Sequence, residues 1–140
     1  MKYGTIAMNA AETASHWQKP AKGKKRGSME IAVDKKNDIA VAVVPVDELD
    51  ASNSADFKRD IAPVLQANAK VVLDLSRLRF VDSSGLGAML SCLRQLSAKG
   101  GDLKLCGMSK QVRALFELVR MHRIFDIYST REEAVKAFPS

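Results

Sequence analysis

The chain has 140 residues, 46% of them hydrophobic and 27% charged, and a formal net charge of +6. That balance suits one soluble globular domain and excludes a wholly disordered chain. No run approaches the roughly 18 apolar residues of a membrane span, and residues 1–28 lack the apolar stretch of a secretory signal, so the expected compartment is the cytoplasm.

The charge is unevenly placed. Residues 1–28 carry Lys2, Lys19, Lys22, Lys24, Lys25 and Arg26 against Glu12 alone, whereas the rest holds nearly equal numbers of acids and bases. A basic domain surface for nucleic acid is therefore not indicated. The segment HWQKPAKGKKRGS has no helical or strand period and reads as a flexible basic arm. Its Gly27-Ser28-Met29 junction fits either a cloning scar or a native arm. The expected division is a tail over 1–28 and one domain over 29–140.

From Met29 the pattern becomes regular. MEIAVDKK alternates as a half-buried strand, Asn37-Asp38 supplies a hairpin turn, and IAVAVVPV forms the second strand, ended by Pro45. After the loop DELDASNS, Phe57, Ile61, Val64 and Leu65 mark one face of a helix, and Pro63 is expected to kink or loosen its last turn. The run KVVLDL has the composition of a central strand covered on both faces.

Next comes FVDSSGLGAML, opening a helix whose expected stripe is Leu86, Leu90, Leu93 and Ser97, widened by Met89 and Leu96. Gly100 and Gly101 stop it, with Lys99 near the negative end of the helix dipole. DLKLC is an alternating strand. Ser109 caps a helix with Val112, Leu115, Phe116 and Val119 on its buried face, and FDIY is a last short strand. Thr130 and Glu133 form a capping box opening a final helix through Phe138. The order β-β-α-β-α-β-α-β-α, with short connections, demands parallel pairing and right-handed crossovers, with the first hairpin as an antiparallel edge.

Little else looks like chemistry. Cys92 and Cys106 form no metal or redox spacing and read as buried apolar residues. His16 and His122 stand alone, His122 at a solvated helix end. Asp82, Ser83 and Ser84 are all good helix caps. A catalytic nucleophile is disfavoured, because the glycine required before the serine of Gly-x-Ser-x-Gly is missing. No phosphate-loop lysine follows the glycines either. A third reading makes a hydroxyl at the helix N-terminus an acceptor of a phosphoryl group, with Gly85 and Gly87 letting a foreign active site approach the backbone.

The wider pattern bears on that choice. VVLDLSRLRFVDSSGLGAML resembles the signature of STAS-family anti-sigma factor antagonists, and the similarity continues through GGDLKLCGMSKQVRALFELVRMHRIFDIYSTREEAV, spanning about residues 29–138. The resemblance implies an α/β STAS fold, with a mixed sheet of about four or five strands and about four helices packed mainly on one face. It matches Ser83 to the family's phosphoacceptor and Ser84 to its unmodified neighbour. Asp82 matches the acid before the acceptor, and Asp50 the end of a Gly-Glu-Leu-Asp loop, which here begins with Asp47 instead of glycine. Asp50, Asp82, Ser83, Ser84, Gly85 and Leu86 are the implied partner-binding residues.

The implied partners are an anti-sigma factor that is also a serine kinase and a metal-dependent serine/threonine phosphatase. No cofactor, metal or enzymatic activity of the chain's own is expected. The competing expectation is a STAS scaffold, or a subunit of a transport or signalling complex, with no phosphorylation switch.

Overall fold

The computed structural model describes residues 28–139, together with Ala10–Ala11 and Thr13–Ala14, which pair antiparallel. The basic cluster Lys22–Arg26, with Lys2, Lys19 and His16, lies outside the described residues. From residue 33 the elements are β1 (Val33–Lys36), β2 (Ile39–Val43), β3 (Glu48–Leu49), α1 (Ser54–Ala67), β4 (Lys70–Asp74) and β5 (Phe80–Val81). They continue with α2 (Ser83–Ala98), β6 (Asp102–Cys106), α3 (Lys110–Leu118), a 3-10 turn (Met121–Arg123), β7 (Asp126–Tyr128) and α4 (Arg131–Lys136).

The main sheet has the order β1-β2-β4-β6-β7. The hairpin pairs Val33 with Ala42 and Lys36 with Ile39, turning at Asn37, whose φ of 61° is a conformation asparagine tolerates well. All other pairings in this sheet are parallel, so the antiparallel edge is where the element order put it. A second, two-stranded parallel sheet joins β3 to β5. The sequence pattern did not resolve it, since two residues leave no measurable period.

Strand alternation divides the core. Ala40, Ala42, Val71, Leu73, Leu103 and Leu105 face α1, α2 and α3, which contribute Phe57, Ile61, Leu65, Met89, Leu96, Val112 and Phe116. Ile39, Val41, Val72 and Cys106 point the other way, against Ala134 of α4 and Phe138 beyond it. Three helices thus cover one face and one covers the other. This explains the unbroken apolar run Val71–Leu73 within KVVLDL: these central residues are buried on both faces of the sheet.

Several expectations are corrected by packing. The buried stripe of α2 is Gly85, Leu86, Ala88, Met89, Cys92 and Leu96, with Leu90 and Leu93 at its border and Ser97 exposed. Val119 caps α3 from outside and is exposed. Pro63 does not interrupt α1: its ring lies on the solvent side and the helix runs to Ala67. Lys99 reaches across to the C-terminal carbonyls of α1, donating to Leu65 and Gln66, so it serves a neighbouring helix dipole. The last helix ends at Lys136, and Phe138 is buried just after it.

Lys104 is the polar residue of an alternating strand, yet it is only 5% exposed. Its Nζ lies 2.9 Å from Asp126 Oδ2, 3.1 Å from Asp102 Oδ2 and 4.8 Å from the ring centroid of Phe138. Burial pulls its pKa down, but the two carboxylates outweigh that and hold the ammonium charged. Beside it, Arg131 Nε pairs with the buried Asp74 at 2.6 Å, fastening the start of α4 to the sheet. The expected cap of Ser109 on Val112 and the capping box of Thr130 and Glu133 are both present.

Cys92 and Cys106 are buried free thiols, and burial pushes each up to about 12. Unfolded thiols ionise near about pH 8.5. The unfolded chain therefore binds fewer protons above that value, and the thiols' contribution to stability falls as pH rises toward 12. At pH 8 the native protein should react negligibly with a disulfide reagent over minutes, and both thiols should react in denaturant.

Candidate functional site

Two segments distant in sequence build the surface around Ser83. The β3–β5 ribbon sets Glu48 opposite Phe80 and Leu49 opposite Val81. The Asp47 carbonyl accepts from the amides of Arg79 (2.6 Å) and Phe80 (3.2 Å), and the Leu49 carbonyl accepts from the Asp82 amide (3.2 Å). Asp47, where the resemblance implies a glycine, has no strained backbone. Only Asn37 and Arg120 have positive φ among the described non-glycine residues, so the turn needs no glycine there.

Asp50 organises the entry into α1. Its Oδ1 accepts from the amide (3.0 Å) and hydroxyl (2.6 Å) of Ser52, and its amide donates to Asn53 Oδ1 at 2.9 Å. Asp82 joins the two segments: Oδ1 accepts from the Gly85 amide at 2.9 Å, capping α2, and Oδ2 accepts from the Ala51 amide at 3.1 Å. Of the three candidate caps, the aspartate makes this bond because its backbone is still extended, with ψ of −173°, while Ser83 is already the first helical residue.

Ser83 is exposed and its hydroxyl stands outside the cap; Ser84 is half-buried. The hydroxyl lies at the positive end of a 16-residue helix, a favourable place for an added anion. It is a group on which another protein can act.

Two expectations at this site change. Leu86 is only 6% exposed and belongs to the core, so its side chain offers no docking surface. Gly85 does not open the backbone to a visitor either. It is buried, and a Cβ there would lie 2.3 Å from the Leu49 carbonyl oxygen and 2.6 Å from Val81 Cγ2. Its glycine serves the internal approach of α2 to the β3–β5 ribbon. Gly87 is exposed, with nothing within 4 Å of a Cβ, and fits the original expectation of open backbone. Away from this site, His122 is half-buried in the 3-10 turn, and its Nδ1 is buried without a hydrogen-bond partner among the described residues.

Residues 30–134 match the sequence model of the STAS domain. The chain belongs to the STAS domain family. BtrV of Bordetella bronchiseptica, provisionally named an anti-sigma factor antagonist, is 32% identical over 111 residues, covering 79% of this chain and 95% of that protein. The anti-sigma-B factor antagonist of Bacillus subtilis is 28% identical over 109 residues, covering 77% of this chain and 100% of that protein. Among solved structures, the Bacillus cell fate determinant SpoIIAA in its phosphorylated form aligns with a TM-score of 0.57 at 25% identity, over 76% of this chain and 96% of that one. The STAS fold expected from the sequence, a mixed sheet of about four or five strands with about four helices mainly on one face, is observed as a five-stranded mixed sheet with four described helices, three of them on one face.

The two glycines give a contrast that tests this geometry. Gly85→Ala should destabilise the STAS domain by at least about 1–3 kcal/mol through overpacking. Gly87→Ala should be neutral, or stabilising by about 0.5–1 kcal/mol, because alanine is the better helix former. Chemical denaturation of both variants checks the pair.

Proposed function

We propose that this STAS protein is an anti-sigma factor antagonist regulated at Ser83. With the serine unmodified it binds an anti-sigma factor that is also a serine kinase, and a sigma factor is released. Transfer of the ATP γ-phosphoryl group to the Ser83 hydroxyl ends that binding, and a metal-dependent serine/threonine phosphatase restores the hydroxyl. The protein is substrate and partner, without catalysis of its own, and works in the cytoplasm. No described helix is long and apolar enough to cross a membrane.

The observation carrying this reading is that the acceptor hydroxyl is exposed and unused by the cap, since Asp82 satisfies the helix amide. Charge explains how modification would switch binding with little effect on folding. A phosphoserine adds about −1.5 to −2 charges at pH 7. At the helix N-terminus an anion gains typically about 0.3–1 kcal/mol, so the fold is kept. Both oxygens of the neighbouring Asp82 already accept backbone amides, which tempers its repulsion. In a docked interface without a cation ready for it, the same charge costs roughly 2–5 kcal/mol. That corresponds to a loss of affinity of about 30- to 3,000-fold. The interface term is the larger.

Incubation with ATP, Mg²⁺ and a candidate anti-sigma kinase, followed by mass measurement, should add one phosphate, on Ser83. The modified protein should keep its circular-dichroism spectrum and melting behaviour and lose its partner. Ser83→Ala should bind constitutively and Ser83→Asp should bind more weakly, by calorimetric titration. If every kinase encoded alongside the protein leaves Ser83 unmodified, the scaffold reading takes its place.

A further inference from the structure

With Leu86 and Gly85 turned inward, the surface around the switch is mostly polar or small: Ser83, Ser84, Ser52, Ala51 and Gly87. Protein interfaces draw most of their affinity from a few aromatic or arginine anchors inserted into the partner, and polar rims contribute little. One side chain beside Ser83 meets that description. Phe80 is 44% exposed, although it stands in a strand between the buried Leu78 and Val81.

Its position explains the exposure. Val81 points into the core, so the alternation of β5 turns the preceding ring outward, opposite the exposed Glu48 of β3. Backbone bonds from the Arg79 and Phe80 amides to the Asp47 carbonyl pin this stretch, so the ring is carried on a fixed support. Two residues, Val81 and Asp82, separate Phe80 from Ser83, so their Cα atoms are at most about 10 Å apart when the chain is extended. Among the described residues, the other exposed large apolar side chains, Leu118, Val119 and Ile124, belong to the segment from the C-terminal end of α3 through the following 3-10 turn.

We infer that Phe80 is the apolar anchor by which the protein docks on its anti-sigma partner, inserting the ring into an apolar socket beside the partner's kinase site. This rests on the reading of the protein as an antagonist switched at Ser83. The exposed Arg77 and Arg79 precede the ring and make no ion pair among the described residues, so a socket with a carboxylate at its rim fits best. The division of labour follows: the ring supplies affinity irrespective of modification, and the Ser83 phosphate withdraws it.

The test is titration of the full chain, and of its Phe80→Ala and Phe80→Leu variants, with a candidate anti-sigma kinase. Melting temperatures and the KM and kcat of Ser83 phosphorylation are measured alongside. Phe80→Ala should weaken binding roughly 10- to 30-fold and raise KM with kcat kept, at an unchanged melting temperature. Phe80→Leu should recover most of the affinity. Binding of Phe80→Ala within twofold of the parent overturns the anchor and leaves the antagonist reading standing. So does a melting temperature lowered by several degrees in that variant, which would make the ring a part of the fold. A parent chain that binds no anti-sigma kinase removes both.

Discussion

The carboxylate of Asp82 holds together the parts on which the proposed function depends. One oxygen closes the first turn of α2 through the Gly85 amide, and the other holds the Ala51 amide of the loop that leads into α1. Each bond to a charged acceptor is worth about 1.5–3 kcal/mol, more than a neutral pair. The same side chain thereby orients the helix that carries Ser83 and fastens the DELD loop beside it. The buried Gly85 is the steric counterpart of this arrangement, since any Cβ would push α2 off the Leu49 carbonyl.

Because the aspartate takes the capping role, the serine after it is released from one. A serine at the N-cap would have its hydroxyl committed to an amide and turned toward the helix, away from an approaching active site. Moving the acceptor one residue inward separates the two demands. Under the proposed phosphorylation of Ser83, Asp82 would keep the helix capped in either state, and the added charge would meet the positive end of the dipole. A charge placed this way changes what can approach the surface while leaving the packing beneath it alone.

The opposite face of the sheet shows the other way charge is used in this protein. Lys104 and Asp74 are buried there, and each is paired: Lys104 with Asp102 and Asp126, Asp74 with Arg131. The Lys104 pairs tie the last two strands together, and the Arg131–Asp74 pair holds the short helix α4, whose six residues present only Ala134 as a buried side chain. Charge is locked into fixed pairs beneath α4, whereas the Ser83 surface leaves a hydroxyl free to acquire it.

Much of this was legible in the sequence because the deciding forces there are local. Alternating apolar residues mark strands, short strand–helix–strand connections force parallel pairing, and Ser109, Thr130 and Glu133 cap helices through neighbours three residues away. The Asp82-Ser83-Ser84 stretch was likewise legible as the start of a helix, where Asp82 is the cap and Ser83 stands exposed. What residues such as Leu86, Gly85, Lys104 and Lys99 do was settled by tertiary structure. Each acts on a group contributed from far along the chain: a core face, the Leu49 carbonyl, Asp126, the end of α1. A periodicity shows that a side chain is on one side of a helix or strand; which neighbour waits on that side depends on how the sheet is ordered, and that depends on every strand at once.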